Sequence, residues 1–239
     1  MAILTRFAPT VGSVSAARVV NDEVEQLYDY DELRRIDEPT VFVVHVRRSA
    51  VVLGSRQLTS VLKSNSRELV AVRRRRGGGG LVLLQPGDLW VDWWIPVRDP
   101  RWSPDLGTSS MRAGQWWCDA LTEEGVGGLN VHGGHVEAGS AADLVCFAGR
   151  GPGEVFRDER KVVGITQWRI REGAFVSTVL PGSPSGPLLD LLDAPPAGLL
   201  AAMNHHTIST LAIQDAEAVL SRLVAAGGAW RRRDLLLLS

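Results

Sequence analysis

Lysine is the rarest charged residue of this chain, and its placement is informative. Of the 26 basic side chains, 24 are arginine, and the two lysines are Lys63 and Lys161. A lysine kept in such a chain indicates a position where a compact ammonium is needed and a planar guanidinium does not serve. An ammonium of this kind acts as a point charge on an electron-rich oxygen. The simpler interpretation is that each lysine is an ordinary surface charge that has persisted by chance.

A run of four arginines followed by four glycines is the second candidate for chemistry. Residues 73–76 are arginine and residues 77–80, called here the glycine loop, are glycine. Consecutive glycines let the backbone adopt positive φ, so that successive N–H groups converge on an anion. Neighbouring guanidiniums can add bidentate donors. The run matches neither the Walker pattern nor the dinucleotide-binding pattern. The competing interpretation is a flexible solvated linker, which strands predicted on both sides make less favourable.

Two histidine pairs could supply metal ligands by residue type. His132 and His135 are separated by two glycines, and His205 and His206 are adjacent. Neither pair is accompanied by cysteines, histidines or carboxylates at metal-ligand spacing. Both pairs are therefore interpreted as polar loop residues, and no metal site is predicted.

The overall composition excludes several functional classes. The chain has 239 residues, of which 45% are hydrophobic, and this suits a single globular domain. The net charge of −1 creates no field that would attract nucleic acid or a membrane. No apolar run approaches the roughly 20 residues of a membrane span, and no signal peptide is evident. The two cysteines, Cys118 and Cys146, are too few for a disulfide framework. We therefore expect a cytoplasmic protein without nucleic-acid or membrane partners.

Hydrophobic spacing and turn residues outline the secondary structure. Helices are predicted over 18–35, 103–121, 187–192 and 214–226. Strands are predicted over 40–46, 50–53, 68–72, 81–84, 89–95, 144–147, 161–168 and 174–180. The strands 81–84 and 89–95 are expected to pair around a Pro-Gly turn, and the last three strands are expected to form a meander. Val91, Trp93 and Ile95 should share one strand face, opposite Asp92 and Trp94. Long helices between groups of strands indicate an α/β fold with a mixed sheet flanked by helices.

The arginine–glycine segment resembles a motif of the lipoate–protein ligase A and octanoyltransferase family. Its sequence from Arg73 to Leu89, RRRRGGGGLVLLQPGDL, is similar to the family pattern RRxxGGGxVxxxxxG. The resemblance assigns substrate or nucleotide binding to six positions of this segment. These are Arg74, Arg75, Gly78, Gly79, Gly80 and Val82, with Gly87 as the turn glycine. Upstream, the segment from Val52 to Gln57 resembles the short strand and Gly-x-x-Gln turn of the same family.

A second segment resembles the lysine motif of this family. In the sequence RKVVGITQ, Lys161 matches the family lysine, Gly164 the glycine that follows it, and Gln167 the glutamine of many transferases. The resemblance implies that Lys161 polarises the acyl carbonyl or holds an adenylate phosphate. Cys146 stands eight residues before Glu154 and fifteen before Lys161, as in the relay octanoyltransferases, where the cysteine carries an acyl thioester. The alternative is that Cys146 is a small buried hydrophobe in an apolar strand.

These resemblances imply both a fold and an activity. The fold is the catalytic-domain fold of biotin and lipoate protein ligases, an α+β arrangement with a largely antiparallel sheet. It is expected to form one domain over 1–239, with no room for a separate C-terminal accessory domain. The implied activity is transfer of lipoate or octanoate onto the lysine of a lipoyl domain or of a glycine-cleavage H-type carrier protein. ATP and Mg²⁺ would be needed by a ligase, and an acyl carrier protein would be the donor for a transferase.

Two departures from the family pattern leave alternatives open. The family has a histidine where this chain has Leu84, and a His-Gly pair where it has Val176 and Ser177. Both changes remove polar groups expected at the acyl or nucleotide site. A non-catalytic acyl or acyl-adenylate binder of the same family is therefore the second interpretation. A biotin–protein ligase is the third, and the Arg-Arg pair and the Lys-x-x-Gly segment fit it less well.

Overall fold

The computed structural model describes residues 24–137, 139–226 and 228–237. The strands are β1 (Thr40–Val46), β2 (Ala50–Leu53), β3 (Ala71–Arg74), β4 (Val82–Leu84), β5 (Leu89–Pro96), β6 (Leu129–Val131), β7 (Val155–Arg157), β8 (Arg160–Ile170), β9 (Gly173–Leu180) and β10 (Arg231–Leu237). The α-helices are α1 (Tyr30–Leu33), α2 (Ser66–Leu69), α3 (Leu106–Glu123), α4 (Ser140–Leu144), α5 (Leu199–Ala202) and α6 (Ala216–Ala225). Short 3-10 helices span Thr59–Val61, Cys146–Ala148 and Gly186–Leu191. None of these helices is long and apolar enough to cross a membrane.

The described strands form one large sheet and one small sheet. The large sheet has seven strands in the order β10-β1-β5-β9-β8-β7-β6, and every pairing is antiparallel except β10 with β1. The small sheet has the order β3-β2-β4. The predicted α/β fold, with a mixed and largely antiparallel sheet flanked by helices, is confirmed.

The two faces of β5 explain how the layers are held together. Val91, Trp93 and Ile95 lie in one core beneath α3 and α6, as the period-2 pattern predicts. Trp90 and Trp94 point to the opposite face and pack in a second core with residues of the small sheet. Burial of both faces makes the sheet a central layer, because each face removes apolar surface from water.

The two long helices begin at the carboxylate caps that their sequences offer. The side chain of Asp105 accepts a hydrogen bond from the backbone N–H of Thr108 at the start of α3. Asp215 accepts from Ala218 at the start of α6 in the same way. These bonds satisfy N–H groups that have no partner within the helix. Both helices start two or three residues later than the sequence patterns 103–121 and 214–226 predict.

The predicted pairing of 81–84 with 89–95 is wrong. β4 pairs with β2 in the small sheet, whereas β5 lies between β1 and β9 in the large sheet. The turn between them does form, with Gly87 at a φ of 93°. It carries the chain from one sheet to the other instead of closing a hairpin. Local turn chemistry therefore predicted the reversal but not the partner of each strand.

Three other predicted elements need correction. The helix predicted over 18–35 lies partly outside the described residues, and within them only Tyr30–Leu33 is helical. The strand predicted over 68–72 is the end of α2 followed by β3. The strand predicted over 144–147 is instead the end of α4 and a 3-10 helix. Val145 and Phe147 of this segment are buried, and the backbone N–H of Cys146 donates to the carbonyl of Leu81, which holds the segment beside the start of β4. The meander is consequently built from β7, β8 and β9, and the C-terminal segment is strand β10, which pairs with β1.

An aspartate in the middle of β5 makes stability depend on pH. Asp92 is fully buried and accepts hydrogen bonds from the Tyr28 hydroxyl at 2.7 Å, the Trp90 indole N–H at 2.6 Å and the Thr178 N–H at 3.2 Å. Burial raises its pKa from 3.8 to about 7. The folded protein therefore favours protonated Asp92. Its stabilising contribution is complete below about pH 4 and is lost as the pH rises through 7.

Because of Asp92, the wild-type free energy of unfolding should fall by about 2–4 kcal/mol between pH 4 and pH 8. We expect the Asp92→Asn substitution to make this fall smaller. Urea titrations at pH 5 and pH 8 measure this change. Asp88→Asn is the comparison variant and should flatten the slope less, because burial raises the pKa of Asp88 only to about 6. An unchanged pH slope in the Asp92→Asn protein would contradict the assignment.

Candidate active site

The glycine loop is held in shape by an arginine that lies beneath it. Arg75 is only 4% exposed and donates to the carbonyls of Gly78 at 2.8 Å, Gly80 at 2.7 Å and Val52 at 3.3 Å. Burial lowers its pKa, and the negative charges of a Cys146 thiolate, Tyr30 and Glu154 oppose that shift. With the loop carbonyls turned inward onto one guanidinium, Gly78 and Gly79 lie exposed at the surface of the loop.

The other three arginines of the run also have partners within the protein. Arg74 is 1% exposed and donates to the carbonyls of Gly54 at 3.1 Å and Gln57 at 2.6 Å. Arg73 forms an ion pair with Glu25 at 2.9 Å. The guanidinium of Arg76 lies 5.0 Å from the ring centroids of both Tyr30 and Trp168. The arginine pair of the motif thus organises the backbone around the loop.

Close backbone approach requires glycine at two positions. A Cβ on Gly80 would lie 2.7 Å from backbone atoms of Val145 and 2.8 Å from the amide nitrogen of Cys146. A Cβ on Gly54 would lie 2.0 Å from the carbonyl oxygen of Gly79. Backbone atoms cannot yield as a flexible side chain can. The glycine loop is therefore packed directly against the segment that carries Cys146.

The ammonium of Lys161 is buried and forms an ion pair. The Lys161 side chain is 2% exposed and that of Glu154 is 5% exposed. Nζ lies 2.8 Å from Oε1 and 2.7 Å from Oε2 of Glu154, and it donates to the carbonyl of Cys146 at 2.6 Å. Burial raises the pKa of Glu154, and the charge of Lys161 opposes that increase. Glu154 also accepts from the Gly151 N–H at 2.6 Å, which fixes the carboxylate in place.

Cys146 lies at the start of a 3-10 helix and is partly exposed. A Cβ on Gly164 would lie 3.7 Å from its Sγ and 3.2 Å from the ring of Phe147. Gly164 on β8 therefore leaves room for the thiol and the ring. The Cys146 thiol and the Phe147 ring thus lie beside this glycine.

Gln167 connects β8 to the start of α3. Its amide nitrogen donates to the carbonyl of Leu106 at 2.6 Å and to the hydroxyl of Ser110, while its oxygen accepts from Arg169 at 3.0 Å. Val82, by contrast, is buried in the core between the sheets. Both side chains hold elements together, and only Gln167 also reaches the open space described next.

A cavity of about 780 Å³ brings most of the predicted residues together. Six of the ten predicted site residues line it: Gly78, Gly79, Gly80, Cys146, Lys161 and Gln167. The other four, Arg74, Arg75, Val82 and Gly164, are not on its wall. The lining residues that the sequence analysis did not assign to the site include four with polar or charged side chains that could act on a ligand: Arg56, Ser110, Arg150 and Glu154. The arginines could not be distinguished among 24 in the chain, whereas a glutamate seven residues before Lys161 was a usable signal.

The site combines an open wall with a charged inner end. The loop glycines and the apolar Leu106, Val136 and Ile165 line its outer part, and the Lys161–Glu154 pair lies at its inner end. A buried ammonium near an acyl carbonyl stabilises the oxyanion that develops when a nucleophile attacks. The arrangement can therefore hold an acyl chain beside a fixed positive charge and a thiol.

Solved structures identify the fold. A lipoate–protein ligase A bound with ATP superposes with a TM-score of 0.65 at 14% identity, covering 86% of this chain and 82% of the other. A structure from a study of an archaeal lipoylation system, a bi-partite lipoate protein ligase and its E2 lipoyl domain from Thermoplasma acidophilum, gives a TM-score of 0.60 at 16% identity, covering 86% of this chain and 80% of the other. No protein-family model and no curated protein sequence matches the chain. The fold is that of the lipoate–protein ligases, as the sequence resemblance implied.

A third solved structure has the same fold around a bound ligand. It is the T. acidophilum lipoate protein ligase structure with bound lipoic acid, which has a TM-score of 0.65 at 14% identity and covers 86% of this chain and 82% of that one. These identities establish the architecture alone, so the chemistry of this chain must be argued from its own residues.

Proposed function

We propose that this protein transfers a lipoyl or octanoyl group onto the lysine of a lipoyl carrier domain. The observation that carries the proposal is the single cavity on which the glycine loop, Cys146 and the buried Lys161–Glu154 pair meet. A lipoate–protein ligase fold surrounds that cavity. The proposed acceptor is a lipoyl domain or an H-type carrier protein, and the proposed compartment is the cytoplasm.

Lys161 is proposed to act as the fixed charge of the reaction. Its Nζ already lies within 2.8 Å of three oxygens, from Glu154 and the Cys146 carbonyl. An acyl carbonyl oxygen that replaces one of these partners would place its developing negative charge on the ammonium. Because the site is buried, this interaction is stronger than it would be in water.

Two sources of the acyl group are compatible with the cavity. A ligase would use free lipoate with ATP and Mg²⁺, and the exposed N–H groups of Gly78 and Gly79 with Arg56 would face the nucleotide phosphates. A transferase would use an octanoyl thioester of an acyl carrier protein. In that case the Cys146 sulfur would attack the carbonyl carbon and form a new C–S bond, and the C–S bond to the carrier would break. The proton of the Cys146 thiol would go to the leaving carrier thiolate.

Intact mass spectrometry of a purified lipoyl domain tests the proposal. One reaction contains the protein, lipoate, ATP and Mg²⁺, and the other contains octanoyl carrier protein without ATP. We expect an acyl mass increase on the acceptor in one of them. Absence of the increase under both conditions would show that the proposed function is wrong. An acyl adduct on the protein itself that disappears in Cys146→Ser would select the thioester route.

Binding without catalysis is the second candidate function, and specific residues favour it. The two positions where the family has histidine carry Leu84 and Val176, which are at most 1% exposed in hydrophobic cores. The donors of Lys161 are also already satisfied. A binder would take up an acyl or acyl-adenylate ligand without modifying any acceptor, and Lys161→Ala would lower only its affinity. Lys161-dependent acylation of an acceptor would exclude this candidate.

A further inference from the structure

Lys161 borders a second cavity on the side away from the glycine loop. This cavity has a volume of about 370 Å³, and Phe147, Phe156 and Asn204 are on its wall. The two cavities share five lining residues, Glu137, Ala142, Gly149, Arg150 and Lys161. We infer that the second cavity is the entry site for a primary alkylamine, the side chain of the acceptor lysine, while the first holds the activated acyl group. The inference rests on the proposed function.

The charges at the mouth of the second cavity suit a cationic side chain. Arg150 lies between two exposed carboxylates, 2.5 Å from Glu159 and 3.8 Å from Glu137. The wall of this cavity carries Glu137 and Glu159 with the cations Arg150 and Lys161, and Glu154, which pairs with Lys161 from outside the cavity, is a third carboxylate. A lysine ammonium approaching from solvent is therefore attracted, and a phosphate group is not.

The walls of the second cavity suit the methylene stem of a lysine. The rings of Phe147 and Phe156 lie 5.5 Å and 5.9 Å from Nζ of Lys161, and Ala148 and Ala202 complete an apolar lining. Lysine side chains bury their stems along apolar surface and place the amine at the end. The amine would then arrive beside Lys161 at the junction of the two cavities.

At this junction the acceptor lysine, which enters as an ammonium, first gives one proton to solvent. The neutral amine nitrogen forms a bond with the acyl carbonyl carbon. The bond from that carbon to the leaving group, an adenylate oxygen or a thioester sulfur, breaks and its electron pair leaves as AMP or a thiolate. The surplus proton of the amine passes to the carboxylate of Glu154, which lies at the end of the first cavity.

Filling the second cavity with a large side chain tests the inference. Ala202→Trp and Asn204→Trp each fill it from a residue that does not line the first cavity. Leu200→Trp is the matched control, because Leu200 is on the same helix as Ala202, is 58% exposed and lines neither cavity. Each protein is first loaded with acyl group, from lipoate and ATP or from octanoyl carrier protein, and then mixed with the lipoyl domain. Binding of Nα-acetyl-lysine methylamide to the unloaded proteins is measured separately by ligand-observed NMR.

We expect both filling variants to load acyl group normally but to transfer it at least about tenfold more slowly, and to lose binding of the amine. The control should behave as wild type in both measurements. Wild-type transfer rates and amine binding in the filling variants would overturn the inference. If no protein loads acyl group while the filling variants alone lose amine binding, the proposed function fails and the amine site stands. If the wild-type protein neither loads nor binds the amine, both are wrong.

Discussion

Replacing Lys161 with methionine is expected to abolish acyl transfer and to lower the free energy of unfolding by about 3–5 kcal/mol. The loss of activity follows because methionine offers no charge to the developing oxyanion. The loss of stability follows because Glu154, 3% exposed, would keep a buried carboxylate without its cationic partner. Without Lys161 the pKa of Glu154 should rise further, so the destabilisation should be greater at pH 8 than at pH 5. Acceptor mass spectrometry and urea denaturation at both pH values measure these effects.

Two further variants separate the charge of Lys161 from its packing. Lys161→Met with Glu154→Gln removes the unpaired charge, so it should recover much of the stability but none of the activity. Lys63→Met is the matched control, because Lys63 is the other lysine of the chain and is exposed, and its side chain donates only to the carbonyl of Asp190 among the described residues. It should change stability by less than about 1 kcal/mol. If Lys161→Met and Lys63→Met have the same effect, the buried ion pair has no special role.

Replacing Gly80 with alanine is expected to lower stability by about 1–3 kcal/mol and acyl transfer by about a hundredfold. The new Cβ would lie within 2.8 Å of backbone atoms of Val145 and Cys146, so one of the two segments must move. The bonds that join Leu81 to this segment, its N–H to Leu144 and its carbonyl to the N–H of Cys146, would be disturbed with them. Urea denaturation and hydrogen exchange at the Cys146 amide report the displacement.

The same loop provides the control for this prediction. A Cβ on Gly78 meets nothing within 4 Å, so Gly78→Ala should fold with wild-type stability. Comparing Gly78→Ala with Gly80→Ala separates the effect of the close backbone contact at Gly80 from the general cost of replacing a glycine in this loop. Equal stabilities for Gly78→Ala and Gly80→Ala would show that the loop does not need to pack against the Cys146 segment.

Local pattern by itself predicted much of the secondary structure. The β-branched runs correctly predicted where β1 and β2 begin and end, because such residues suit a pleated and buried backbone. Alternation along β5 assigned its two faces correctly, since the period of a strand is fixed by its geometry. The resemblance to the relay octanoyltransferases implied that Cys146 and Lys161 belong to one site, and the structure places both on one cavity.

Only the tertiary structure decided the partners of these elements. The turn at Gly87 fitted a hairpin, but β4 joins β2 because the apolar faces of both sheets are buried in the core between them. The arginine pair looked suited to bind an anion, but its guanidiniums face the backbone carbonyls around the glycine loop. Donor groups without water must find acceptors within the protein, and which acceptors are close depends on residues distant in sequence.

Lys161 shows most directly which properties come from the sequence and which come from the tertiary structure. Its rarity and its spacing from Cys146 are properties of the sequence, and they were sufficient to single it out. Its burial, its pairing with Glu154 and its position between two cavities arise from the packing of β8 against the Cys146 segment. Those properties determine its chemistry, because the strength of a charge depends on the dielectric environment that the whole fold creates around it.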